Sequence, residues 1–139
     1  MVTRLVIIGV VISYLVCVAA VVANANSNRD RIIKIVIHLE SRGNETAHNL
    51  REDAVGVLQI RQIMVRELNR IAKYEKYSLE DRWNPEMSIM MFIDFQNKYN
   101  PNWDEEMACR LWNGGGKGMQ KESTIGYYNN YLKIKEELK

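Results

Sequence analysis

The sequence predicts an all-α protein, mainly helical, with at most a very small β-hairpin between Asn44 and Val57. Three observations predict it. Apolar residues recur at helical spacing after Asn28, after Gln62 and after Asn84. Helix-start and helix-stop residues bracket these segments, with Asn84-Pro85 and Asp104 at starts and Gly43-Asn44 and the "GGGKG" run at ends. No segment shows a convincing alternating pattern of the kind a half-buried strand requires.

The elements follow in order. Residues 29–41 form a helix that Ser27 or Asn28 can cap, with Asp30 near its positive end. Its Ile32, Ile33, Val36, Ile37 and Leu39 are too many for one narrow stripe, so this helix is expected to be central. Gly43 and Asn44 stop it, and the polar stretch to Gly56 is a long loop or a small hairpin region. After the short apolar "AVGVLQI", Met64, Leu68 and Ile71 mark a helix from about Gln62 to Tyr74. A connection, "SLEDRWNP", leads to a Met- and Phe-rich helix starting at Pro85, whose stripe reads as core. Asn100-Pro101 ends it, Asp104 caps a short helix, and Thr124 to Leu138 closes the chain.

Length and charge bound the rest. With 139 residues the chain suffices for one domain with a core, and a formal charge of +2 lacks the basic footprint of a nucleic-acid binder. No nucleic-acid partner is expected. The N-terminus has its own grammar: Arg4, an uncharged apolar run from Leu5 to Ala23, and the small-residue pattern Ala23-Asn24-Ala25. It reads as a signal peptide over residues 1–25, with the remaining domain at 26–139. The run also approaches the ~20 residues that span a bilayer, so a retained N-terminal membrane anchor is the alternative. Either way the domain is expected to be exported, to the periplasm, the cell envelope or the extracellular space.

Cys17 lies in the apolar leader, and Cys109 is the one cysteine after it, so no disulfide staples this domain. His38 and His48 are the only histidines; His38 reads as a structural helix residue, and no metal or other cofactor is expected.

Against this frame Glu40 is conspicuous. It ends the apolar run Ile35-Val36-Ile37-His38-Leu39. A carboxylate there is either a solvated residue of the last turn or an acid whose pKa the apolar surroundings and the helix's negative end raise. A catalytic proton donor needs such a raised pKa, because an ordinary glutamate at about 4.3 is ionised at neutral pH.

Four features then occur in order: Glu40-Ser41, Gly56-Val57-Leu58-Gln59, Trp112-Asn113-Gly114-Gly115 and Thr124-Ile125-Gly126-Tyr127. Together they resemble the soluble lytic transglycosylase (SLT) domain of the lysozyme-like superfamily, with its helix ending in Glu-Ser, its G-L-M-Q and Y-N-A-G segments and its late T-x-x-Y. The resemblance covers residues 29–138. Gln62 stands where the family usually has a proline after the Q-I-x segment, Trp112 replaces the tyrosine, and glycine replaces the alanine.

The resemblance implies a fold, a substrate and roles. The substrate is the peptidoglycan glycan strand, cut at the MurNAc-β-1,4-GlcNAc bond to leave 1,6-anhydroMurNAc ends. Glu40 is the implied single acid/base, the substrate's N-acetyl oxygen replacing a protein nucleophile. Ser41, Gln59, Asn113 and Tyr127 are the implied substrate-binding or orienting residues. Each also has an ordinary structural reading: helix-end serine, loop amide, helix-terminal asparagine, buried tyrosine. Trp83, Trp103 and Trp112 are candidates for sugar stacking or for core. Cell-envelope or phage machinery is the partner context such a domain implies. A goose-type-like lysozyme, in which Asp53 or Glu52 holds a water, and a non-catalytic glycan-binding relic are the rival readings.

Overall fold

The computed structural model describes the backbone of residues 2–138 and the side chains of residues 12, 13 and 15–138. Among the described residues there are five α-helices and one two-stranded antiparallel sheet: α1 (Val2–Ser41), β1 (His48–Asn49), β2 (Ala54–Val55), α2 (Gln62–Ala72), α3 (Pro85–Tyr99), α4 (Glu105–Gly114) and α5 (Ile125–Glu137). Short 3₁₀ turns at Glu80–Trp83, Gly118–Gln120 and Glu122–Thr124 link the later helices. The mainly helical class holds, and the small hairpin falls in the interval the sequence reserves for it.

Two compact units divide the chain, one ending at Arg31 and the other beginning at Ile32. In the first, Leu15, Val16 and Val21 are exposed. Among the described residues no helix is long and apolar enough to cross a membrane. Much of the apolar run singled out as leader or anchor lies outside the described side chains. One expectation needs correction: no helix starts at Ser27 or Asn28. No glycine or proline interrupts residues 23–30, so the i→i−4 bonds simply continue, and Asn28 Oδ1 instead accepts a bond from Arg31 Nη2 at 2.9 Å.

In the second unit, the end of α1 is the centre. Ile32, Ile33, Ile35 and Val36 are buried, while Lys34 and His38 face outward. They pack with Leu58, Ile60, Met91, Phe92, Phe95 and Tyr131 in one core. The Met- and Phe-rich stripe of α3 is core, as its spacing predicts. Phe92 and Phe95 meet the Trp112 ring at 4.8 and 5.7 Å between centroids, in edge-on geometry. Buried Gln96 locks α3 to α4, its Nε2 donating to the Ala108 carbonyl at 3.1 Å and its Oε1 accepting from Asn100 at 3.1 Å. The caps at Asn84 and Asp104 form: their side chains accept from Met87 N at 3.0 Å and Met107 N at 2.8 Å. Cys109 is buried, and burial raises its thiol pKa, so it is inert packing.

The hairpin is held from beneath. Buried Arg82 donates through Nη1 to the Asp53 carbonyl (3.0 Å), the Asp53 carboxylate (3.2 Å) and the Ile60 carbonyl (3.3 Å). Gly56 lets the chain pass over this point. Its φ is +74°, and a Cβ there would lie 2.2 Å from the Arg82 carbonyl oxygen. Gly56→Ala is therefore expected to destabilise the fold by roughly 2–4 kcal/mol, read as a lowered denaturant midpoint at unchanged slope.

Candidate active site

Glu40 lies in the last turn of α1, and the apolar face of that helix decides where it goes. Docking Ile32, Ile35 and Val36 into the core carries the carboxyl into a cleft of about 560 Å³. The hairpin contributes Asn49, Glu52 and Ala54 to the cleft. The start of α2 adds Arg61, Met64 and Glu67, and the end of α4 adds Trp112, Asn113 and the glycines Gly114 to Gly116.

Tyr127, in the first turn of α5, donates its hydroxyl to Glu40 Oε1 at 2.7 Å, joining residues 87 apart in sequence. Burial pushes the Glu40 pKa up from 4.5 to about 7. The Tyr127 bond and the Arg61 charge pull it down, and the Glu52 charge pushes it up. Near neutrality both forms of Glu40 are populated. Burial and the neighbouring Glu40 hold the Tyr127 hydroxyl well above its usual range, so it remains a donor.

The other sequence-selected residues divide. Gln59 and Asn113 line the cleft with Glu40, and Ser41 does not. Gln59 has a positive φ of 49°, and its Nε2 donates to the carbonyls of Ala47 (3.1 Å) and Gly56 (3.0 Å). Its amide nitrogen braces the loop. Ser41 Oγ donates to the Val57 carbonyl at 2.8 Å and accepts from Gly43 N at 3.1 Å, tying the end of α1 to the segment before Gln59. Asn113 is exposed, next to a chain reversal at Gly115 with φ of +76°. Of the tryptophans, Trp103 and Trp112 are buried, Trp112 with an edge on the cleft, and Trp83 is partly exposed with the His48 ring edge-on at 5.4 Å.

The two carboxylates that the sequence left as alternatives separate cleanly. Asp53 does not line the cleft; it accepts from Gln62 Nε2 at 2.7 Å and from Arg82, and these bonds hold its carboxyl below the usual range. Glu52 does line it, with Arg61 Nε 3.6 Å from its Oε2. A third carboxylate, Glu67, was not read from the sequence. Arg70 forks onto both its oxygens at 2.7 and 2.8 Å and Tyr99 donates to Oε1, which holds its pKa near about 2. Its spacing from Ile63 and Met64, which share the cleft, is the helical signal that could have found it. Among the described residues no group of three or more His, Cys, Asp or Glu side chains could hold a metal ion.

Two outcomes follow for Glu40. Tyr127→Phe removes a bond to the charged form, so the Glu40 pKa is expected to rise above its value of about 7, as read by carbon NMR titration of the carboxyl. The stability effect has a definite sign. The folded value exceeds the unfolded one, so this group's contribution is full below pH 4.5 and lost as pH rises through about 7. Glu40→Gln should therefore gain roughly 1–3 kcal/mol of stability over wild type between about pH 4 and about pH 8, measured by denaturation at both ends.

No curated protein and no solved structure matches the chain. A family model does, over residues 18–130: the chain belongs to the Transglycosylase SLT domain family.

Proposed function

We propose that this chain is an exported lytic transglycosylase in which Glu40 alone serves as acid and base; membership of the family supports lytic-transglycosylase-type action on peptidoglycan in general. The observation that carries the reading is the partly buried Glu40 carboxyl, bonded to the Tyr127 hydroxyl at 2.7 Å in a cleft large enough for sugar rings, where burial raises its pKa to about 7.

The chemistry follows from that value. Protonated Glu40 gives its proton to the glycosidic oxygen as the bond to the MurNAc anomeric carbon breaks. The N-acetyl carbonyl oxygen of the same sugar bonds to that carbon and takes up the developing positive charge. Glu40, now a carboxylate, removes the proton of the sugar's 6-hydroxyl. That oxygen displaces the N-acetyl oxygen and closes the 1,6-anhydro ring. A pKa near neutrality suits a group that must first give and then take a proton. Tyr127 orients the carboxyl throughout. Asn113, in the cleft, is the proposed contact for the N-acetyl group, and Ser41 and Gln59 shape the wall.

Hydrolysis is the second reading, and one observation favours it. Glu52 lines the cleft and acts electrostatically on Glu40, and in this reading it is the carboxylate that holds the water. We further propose that the apolar N-terminal segment directs export and, where retained, attaches the domain to the membrane, within cell-envelope or phage machinery.

Mass spectrometry of fragments released from purified peptidoglycan tests the reading. The expected ends are 1,6-anhydroMurNAc; reducing ends would replace the first mechanism with hydrolysis through Glu52. Glu40→Gln should lower turnover at least about a hundredfold while glycan binding persists, and wild-type activity should fall as pH rises past about 7. A folded wild type that binds strands and cuts none would leave a glycan-binding relic as the function.

A further inference from the structure

We propose that Arg61 is a subsite for a carboxylate of the peptide attached to the glycan, which makes the cleft selective for peptide-bearing over bare strands. The inference rests on the cleavage reading above and names the part of the substrate that the cleft recognises.

Location comes first. Arg61 follows the Gly56–Ile60 segment directly, stands at the start of α2, and lines the same cleft as Glu40, Gln59 and Asn113. Availability comes second. Among the described residues its guanidinium is paired with Glu52 alone, through Nε at 3.6 Å, and the two side chains are 47% and 49% exposed. Charge-assisted bonds run at about 2.7–2.9 Å, so this contact is long, and an exposed pair of this kind is weak. Three other arginines are spent on structure. Arg82 is buried on four acceptors, Arg70 forks onto Glu67, and Arg110 bonds Glu106, Thr124 and the Met119 carbonyl. Lys121, the other cation of the cleft, donates its Nζ to the Gly114 carbonyl at 2.6 Å and so holds the glycine turn.

Substrate chemistry supplies the ligand. The N-acetylated sugar rings are uncharged and the lactyl carboxyl of MurNAc is held in the amide to the peptide, whereas the attached peptides carry free carboxylates. A half-exposed, weakly paired guanidinium is a group that can bind a carboxylate in two parallel bonds. A peptide carboxylate that takes up Arg61 displaces Glu52.

The same event reaches Glu40. The charged and titratable groups acting on Glu40 are Tyr127 from α5, Arg61 at the start of α2 and Glu52 from the hairpin. The Arg61 charge favours the ionised carboxyl. A carboxylate bound at Arg61 offsets that charge, so Glu40 keeps its proton to higher pH when a peptide-bearing strand is seated. Recognition and acid catalysis are then coupled through one guanidinium.

The test uses the full chain and two soluble substrates, glycan strands with their peptides and the same strands stripped of peptide, their freed lactyl carboxyls capped as amides. Wild type is expected to favour the peptide-bearing strand by about tenfold in kcat/KM. Arg61→Gln should bring that ratio close to one, and Arg61→Lys, which keeps the charge, should restore part of it. The alkaline limb of the wild-type pH profile should lie higher on peptide-bearing than on stripped strands, with the gap closed in Arg61→Gln. A ratio and a pH gap unchanged in Arg61→Gln, with circular dichroism matching wild type, would overturn the subsite. If wild type cuts neither substrate, the cleavage reading fails. The subsite is then judged by calorimetric binding of the two strands to wild type and to Arg61→Gln: equal loss of preference supports it, and equal affinities overturn it.

Discussion

The burial of one carboxyl at the end of α1 is the constraint on which the rest depends. Glu40 sits where an apolar helix stops, and the same side chains that drive α1 into the core drag the carboxyl out of bulk water. A group so placed needs a partner that does not neutralise it. A lysine at that point would form an ion pair and hold the pKa low. The neutral Tyr127 hydroxyl satisfies the oxygen with a 2.7 Å bond and leaves the pKa near 7. The contact also pins α5 to α1, so one bond serves the closure of the fold and the protonation state of the candidate acid.

Around that carboxyl the structure keeps its strong charges occupied. Glu67 is clamped by Arg70 and Tyr99, Asp53 by Gln62 and Arg82, and Lys121 by the Gly114 carbonyl. Each is a bond inside the scaffold, so each wall of the cleft arrives preorganised. The Glu52–Arg61 pair is the loose member, half-exposed and at long range. The glycines do related work in the backbone. Gly56 permits the hairpin to pass against the Arg82 carbonyl, and Gly118 packs so close to the Arg110 carbonyl that a Cβ would come within 2.0 Å of it. Bulk at either point would force the facing backbone to shift.

Much of the fold was legible because its signals are local. Asn84-Pro85 and Asp104 announce helix starts through their own side chains, and Gly43 announces a stop through its own φ of +81°. The start at Ser27 or Asn28 misled because a capping residue signals a helix start only where the preceding chain is not already helical. Asp53 and Glu52 show the same limit at the site. Adjacent in sequence, they point to different surroundings, one to Arg82 beneath the hairpin and the other to the cleft. Successive residues across a turn diverge, and no composition rule says which of two neighbours faces inward.

Sequence alone determined the helical class, the order of the elements, the family pattern and the suspicion attached to Glu40, since all of these rest on spacing and residue type along the chain. Tertiary structure decided what that suspicion is worth. Only packing brings a tyrosine 87 residues away to within 2.7 Å of the carboxyl. Only packing turns Gln59 Nε2 onto the Ala47 and Gly56 carbonyls, and Ser41 Oγ onto that of Val57. Only packing leaves Arg61 weakly paired beside the acid. A pKa depends on burial and on charges through space, and distance through space is the quantity a linear sequence does not contain.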